Sequence, residues 1–231
     1  MFAAVPAFAG DIAFQPTITD ADFAHFSRIV GQAIFATPVQ PARATGFLGF
    51  DVGIAATAVP IDTKAAYWTN SVTSTRLEQS GYLAVPRLVA SKGLGAATLS
   101  GTYASRGDIK MYGGTLDIPL IRGTVATPEI ALRGAYSTLT GLDVFKMKTY
   151  GAEAFISKGF GPVMPYGAIG RERNNASGSV TVATVTRSLA DRSNVTRYTA
   201  GVRLSLLFPK ITVEATKAEV TSYAAKISFG F

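Results

Sequence analysis

The chain has one histidine, His25, and no cysteine. Disulfides, thiolate metal sites and cysteine nucleophiles are therefore absent, and a single imidazole is left for any general-base role. The carboxylates are spread singly along the chain, so no zinc or calcium ligand set forms and neither metal nor cofactor is expected. The glycine-rich pieces KGLGAATLSG and GFGPVMPYGAIG lack the Lys-Ser/Thr of a phosphate loop and open no helix. Glycine there relieves crowding or permits a bend in a strand. Arg106-Gly107-Asp108 reads as a three-residue hairpin turn in preference to an adhesion tripeptide.

What remains is a spaced series of charges. Asp51, Arg87, Asp117, Arg133, Glu153, Arg171, Arg203, Glu214 and Lys226 each fall in a different period-two segment, on the polar parity, and their sign alternates except at Arg171 and Arg203. Facing lipid, a mid-membrane Arg or Lys would cost about 2–4 kcal/mol, so these residues are expected to form a belt inside a barrel. In one reading, opposite charges on neighbouring strands neutralise each other in a filled interior. In the other, the belt is a constriction that selects a small solute or ion. The filled interior is favoured because the strand number lies close to the side-chain-filled barrel size. The excess of Arg would give any residual pore an anion preference.

The segments that position these charges number ten: about 45–58, 81–92, 95–105, 109–120, 128–139, 144–158, 163–173, 194–207, 210–219 and 222–231. Strands this long suit a tilted membrane crossing better than a soluble sheet. An even number puts both ends of the barrel on one side. KGLG, SKGFGP, FPK and residues 121–127 then become short periplasmic turns. Residues 59–80 and 174–193 become long outer loops, beside the tight turns RGD, TGLD and EVT. Tyr82, Tyr103, Tyr112, Tyr136, Tyr150, Tyr198 and Tyr223, seven of the nine tyrosines, lie on the apolar parity near the outer strand ends. Their hydroxyls belong among headgroups, so they read as an aromatic girdle. Lys110, Lys146 and Lys148 share the lipid-facing parity but lie at strand ends, where the cost of a charge falls to about 0–1 kcal/mol.

Ahead of the strands, Thr19 or Asp20 caps a helix over about 20–34 with Phe23, Phe26, Ile29, Val30 and Ala33 on one face. It is expected to rest on the lower rim as a periplasmic lid, because a lumen crowded with charge leaves little room for a helix about 10 Å wide. His25, on that helix, is then outside the barrel and solvent-facing. The first nine residues, MFAAVPAFA, end in the small-x-small pattern of a secretory cleavage site. The expected organisation is thus a residual signal segment over 1–9, a periplasmic segment over 10–43 and the barrel over 44–231. No apolar run reaches the length of a membrane helix. The formal charge of +7 is spread out, without the basic cluster and interleaved aromatics of a nucleic-acid surface.

The final stretch, SYAAKISFGF, alternates strictly and stops on an aromatic. It resembles the closing strand of Gram-negative outer-membrane β-barrels. That resemblance implies that Phe229 and Phe231 form the signal read by the barrel-assembly machinery. HFSRIVGQAI, GFLGFDVG, PRLVASKGLG, ALRGAYSTLTGLD and ISKGFGPVMPYGAIG resemble a poorly characterised proteobacterial group of such proteins. The likeness implies an exported single-domain barrel in the outer membrane, among lipopolysaccharide, and brings no activity with it. Barrel enzymes of similar strand number, such as omptin proteases, the lipid A deacylase and phospholipase A, resemble one another in needing a catalytic histidine within the barrel. A non-enzymatic barrel with a structural, surface-binding or partner-docking role is expected, with a periplasmic partner at the helix as one option and a narrow solute channel as the alternative.

Overall fold

A computed structural model describes residues 12–72, 81–124, 126–182, 184–206 and 208–231. The signal-like segment over 1–9 lies outside them. Ten strands form one closed barrel: β1 (Phe50–Pro60), β2 (Tyr82–Gly93), β3 (Thr98–Arg106), β4 (Ile109–Ile121), β5 (Glu129–Thr140), β6 (Phe145–Ser157), β7 (Val163–Val182), β8 (Val185–Ser205), β9 (Pro209–Lys217) and β10 (Thr221–Gly230). Each is antiparallel to its chain neighbours, and β1 closes on β10 from Asp51↔Gly230 to Ala58↔Tyr223. Phe50 and Phe231 exchange both backbone hydrogen bonds at 3.0 Å, so the last residue seals the seam.

The period-two pattern sets the two faces. Outward residues such as Ile54, Leu88, Leu132, Ile156, Ile169 and Ile227 are exposed and apolar, while the alternate positions are buried. This is the exterior of a barrel that sits in a bilayer, because water would penalise such a continuous apolar surface. The first strand starts at Phe50 rather than near Thr45, since residues 46–48 form a turn with Gly46 at φ 71°.

The helix α1 (Asp20–Ile34) matches the expected span but not the expected place. Thr19 caps it in a capping box with Asp22. Its Phe23, Phe26, Ile29, Val30, Ala33 and Ile34 are buried against inward residues of the barrel wall, among them Val59, Leu83, Val85, Ile109, Met111, Leu139, Phe145 and Met147. The helix is therefore a plug inside the tyrosine end of the lumen, and the rim placement is corrected. The inward positions at that end are apolar, and only an apolar occupant removes them from water. Ser27, Gly31 and Gln32 on its other side are buried too, and exposure is left along Ala21, Ala24, His25 and Arg28 toward the mouth of the tyrosine end.

The second correction concerns residues 174–193. The described ones form no long loop: β7 and β8 stay paired from Val163↔Leu204 to Val182↔Val185, and this hairpin rises far past the end of β9 at Lys217. Thr and Val at 179–186 suit extension better than a loop. In the 59–80 segment, β1 runs to Pro60 and a short helix α2 (Ala66–Thr69) follows. Residues 73–80 lie outside the described ones. Val72 bridges to Ile12, and Gln15 N donates to Asn70 O at 2.8 Å, so the chain ahead of α1 is tied to the tyrosine end.

Candidate functional site

From Phe35 to Thr45 the chain leaves α1 and runs down the lumen to the start of β1. Residues 33–40, the end of α1 and the first part of this strap, bond to the belt. Arg87 donates to Phe35 O at 2.8 Å, Ala33 O at 3.1 Å and Thr57 Oγ1 at 2.6 Å. Arg133 grips Asp117 through Nε (2.7 Å) and an Nη (2.9 Å), and that same Nη donates to Gln40 O at 3.1 Å. Lys226 Nζ lies 2.7 Å from both Gln40 Oε1 and Asp51 Oδ1. Glu214 accepts from Thr37 Oγ1 at 3.1 Å and from Tyr166 OH at 2.7 Å. The helix is fixed likewise, with Gln32 Nε2 donating to Val220 O at 2.8 Å and Ser222 Oγ at 2.9 Å.

The strap is shaped by its socket. Val39 takes φ 49°, a region that β-branched residues rarely enter, so its surroundings and not its own preference set the bend. Phe35 lies against Gly151, where an added Cβ would fall 2.3 Å from the ring, and the Arg197 guanidinium stacks 4.0 Å from the Phe35 ring centre. Gly151→Val is expected to force Phe35 from this socket and to cost about 1–3 kcal/mol by overpacking. Urea titration followed by heat-modifiable gel migration checks it.

The belt residues Asp51, Arg87, Asp117, Arg133, Glu153, Arg203, Glu214 and Lys226 all point inward and are buried. Arg171 does not. It is exposed on the outer face, and its neighbour Glu172 points inward, because Glu153 pairs with Gly170 and so sets the parity of β7. Arg197 also points inward and joins Glu172 at 2.6 Å and Glu153 at 3.3 Å. Sequence reasoning missed both. Arg197 was within reach, since it shares the parity of Arg203. The buried belt therefore holds Arg87, Arg133, Arg197, Arg203 and Lys226 against Asp51, Asp117, Glu153, Glu172 and Glu214. These ten balance, and Lys210, less buried, lies 3.2 Å from Asp51 beside them.

His25 sits at the mouth of the tyrosine end, not outside the barrel. Its ring lies 4.1 Å from that of Tyr67, Nε2 is 3.5 Å from Glu219 Oε1, and Arg28 Nε holds the other Glu219 oxygen at 2.9 Å. Arg28 and Glu219 also line a cavity of about 470 Å³ beside the free edge of β8. Among the described residues no hydroxyl hydrogen-bonds His25 and no cluster of metal ligands forms.

The seven girdle tyrosines are all exposed on the outer face, and Tyr103 with Tyr112 and Tyr136 with Tyr150 form cross-strand pairs at 5.3 and 5.2 Å. The opposite end carries exposed Phe47, Phe50, Phe160, Phe208, Phe229 and Phe231. Only the last two stood out in the sequence, because Phe47, Phe160 and Phe208 lie at turns without a period and Phe50 only opens β1.

No protein-family model and no curated protein sequence matches the chain. Among solved structures it is similar to the N-terminal β-barrel domain of Pseudomonas aeruginosa OprF, with a TM-score of 0.35 and 13% identity over 78% of this chain and 97% of that one. LpxR from Salmonella typhimurium gives a TM-score of 0.42 and 11% identity over 78% and 100%. The attachment invasion locus protein Ail of Yersinia pestis gives 0.33 and 12% over 79% and 97%. At these identities the likeness carries nothing about activity.

Proposed function

We propose that this chain is a self-plugged, non-enzymatic barrel of the Gram-negative outer membrane, acting as a structural, surface-binding or partner-docking protein. The observation that carries it is the strap: four belt residues, Arg87, Arg133, Glu214 and Lys226, spend hydrogen bonds on the chain's own residues 33–40. A belt built to select solutes would leave donors facing water. The tyrosine end faces outward among headgroups, and the Phe231 end, with its short turns, faces the periplasm. Phe229 and Phe231, both exposed, supply the terminal signal for the assembly machinery. This suits the proteobacterial group that the chain's motifs resemble.

The test is electrical. Purified protein that shows heat-modifiable migration is expected to give no steady single-channel steps in planar bilayers. Reproducible steps whose size changes on replacing Arg133 or Arg203 would favour a narrow channel instead. Hydrolysis of lipid or peptide substrates by the same preparation, lost with His25→Ala, would overturn the non-enzymatic reading.

A further inference from the structure

The belt explains the inward charges and leaves an outward set unexplained. Lys146 and Lys148 on β6, Arg171 and Arg173 on β7 and Arg192 on β8 are all exposed on the outer face of three adjacent strands. Register brings them together. Tyr150 pairs with Arg173, and Ala152 with Arg171 one row nearer the membrane centre. Lys148 pairs with Asn175, which pairs in turn with Arg192. The carboxylates of these strands, Glu153, Glu172 and Asp191, have the inward parity, and among the described residues none of the five cations has an ion pair. Like charges on neighbouring strand positions repel, so counter-anions beside the cluster would stabilise it.

Depth and one-sidedness narrow the counter-anion. The cluster starts at the level of the girdle residue Tyr150, where headgroups lie, and Arg171 falls below it, out of reach of a polymer in solution. On the opposite wall the outward residues at this level are Ala58, Pro60, Tyr82, Thr221 and Tyr223, which carry no charge. Elsewhere at this end the outward cations stand singly, Lys110 on β4 and Lys217 beside Tyr198 on β9, whereas β6–β8 bring five together. Guanidinium groups bind phosphate in a bidentate fork.

We infer that the β6–β8 face is a binding site for the phosphate groups of an outer-leaflet glycolipid of the lipid A type. The inference rests on the outward orientation of the tyrosine end proposed above.

The test uses the full chain in detergent, with retained lipid measured by native mass spectrometry. Wild type is expected to retain bisphosphorylated lipid A at least about tenfold better than the same lipid dephosphorylated, the scale of a charged hydrogen bond. The combined Arg171→Gln, Arg173→Gln and Arg192→Gln variant is expected to lose that preference, while Lys64→Gln with Arg106→Gln keeps it. Should the glutamine variant not fold, the triple Arg→Lys variant, which keeps charge but not the fork, is expected to lose several-fold in retention. Equal retention of dephosphorylated lipid, an unchanged triple variant, or displacement by millimolar inorganic phosphate would overturn the inference. Preferential binding of a sulfated oligosaccharide would also overturn it, assigning the face to a soluble polyanion. A folded barrel with any of these outcomes leaves the plugged-barrel reading standing, whereas a wild-type chain without heat-modifiable migration sinks both.

Discussion

Deleting residues 12–41 is expected to turn an electrically silent barrel into one that passes steady current. This stretch contains α1, which fills the tyrosine half, and most of the strap, which crosses the belt. The wall keeps its own pairs without it. Arg133 retains both bonds to Asp117, Lys226 retains Asp51, and Arg197 retains Glu172. Arg87 loses two of its three acceptors, but water entering the emptied lumen replaces them. Barrel closure depends on strand pairing, including the seam from Asp51 to Phe231, and none of that is deleted. Heat-modifiable migration confirms folding before the bilayer measurement. Because the belt's charges balance, the conductance is expected to discriminate little between cations and anions, as a reversal potential near zero in a salt gradient would show. A folded deletion variant that stays silent would mean that the wall side chains alone close the lumen.

The strands were legible in the sequence and the plug was not, for one physical reason. A period of two records which side of a wall a residue faces. It does not record what stands opposite. The ten segments, the tyrosines and most of the belt followed from parity alone. An amphipathic helix buries the same stripe on a rim or in a lumen, so Phe23, Phe26 and Ile29 could not choose between them. The deciding signal lay in the wall. Inward positions at the tyrosine end are Leu83, Val85, Ile109, Met111, Phe145 and Met147, whereas a lumen open to water at that level would be polar. Parity misled where its signal was mixed: in GRERNN on β7, charges at Arg171, Glu172 and Arg173 occupy both faces, and register with β6 decides between them.

Breaking the Arg133–Asp117 pair tests the belt as a structural device. The two side chains are 1% and 0% exposed, bond bidentately, and the guanidinium also stacks 4.4 Å from the Phe155 ring centre. Arg133→Met strands the Asp117 carboxylate without its counter-ion and is expected to cost about 3–5 kcal/mol, whereas a surface pair would cost at most about 1. Asp117→Asn keeps an acceptor for the fork but removes the charge, so a smaller loss is expected, and the Arg133→Met, Asp117→Leu double variant should recover most of the stability. Reversible urea unfolding in detergent or short-chain lipid, followed through the emission of the single, buried Trp68, measures all three. The double variant separates two roles that the single one cannot. Recovered stability with the lumen still silent would mean that the pair neutralises a charge and α1 with its strap supplies the closure. Recovered stability with new current would instead make Arg133, through its bond to Gln40 O, the clamp that holds the strap in place.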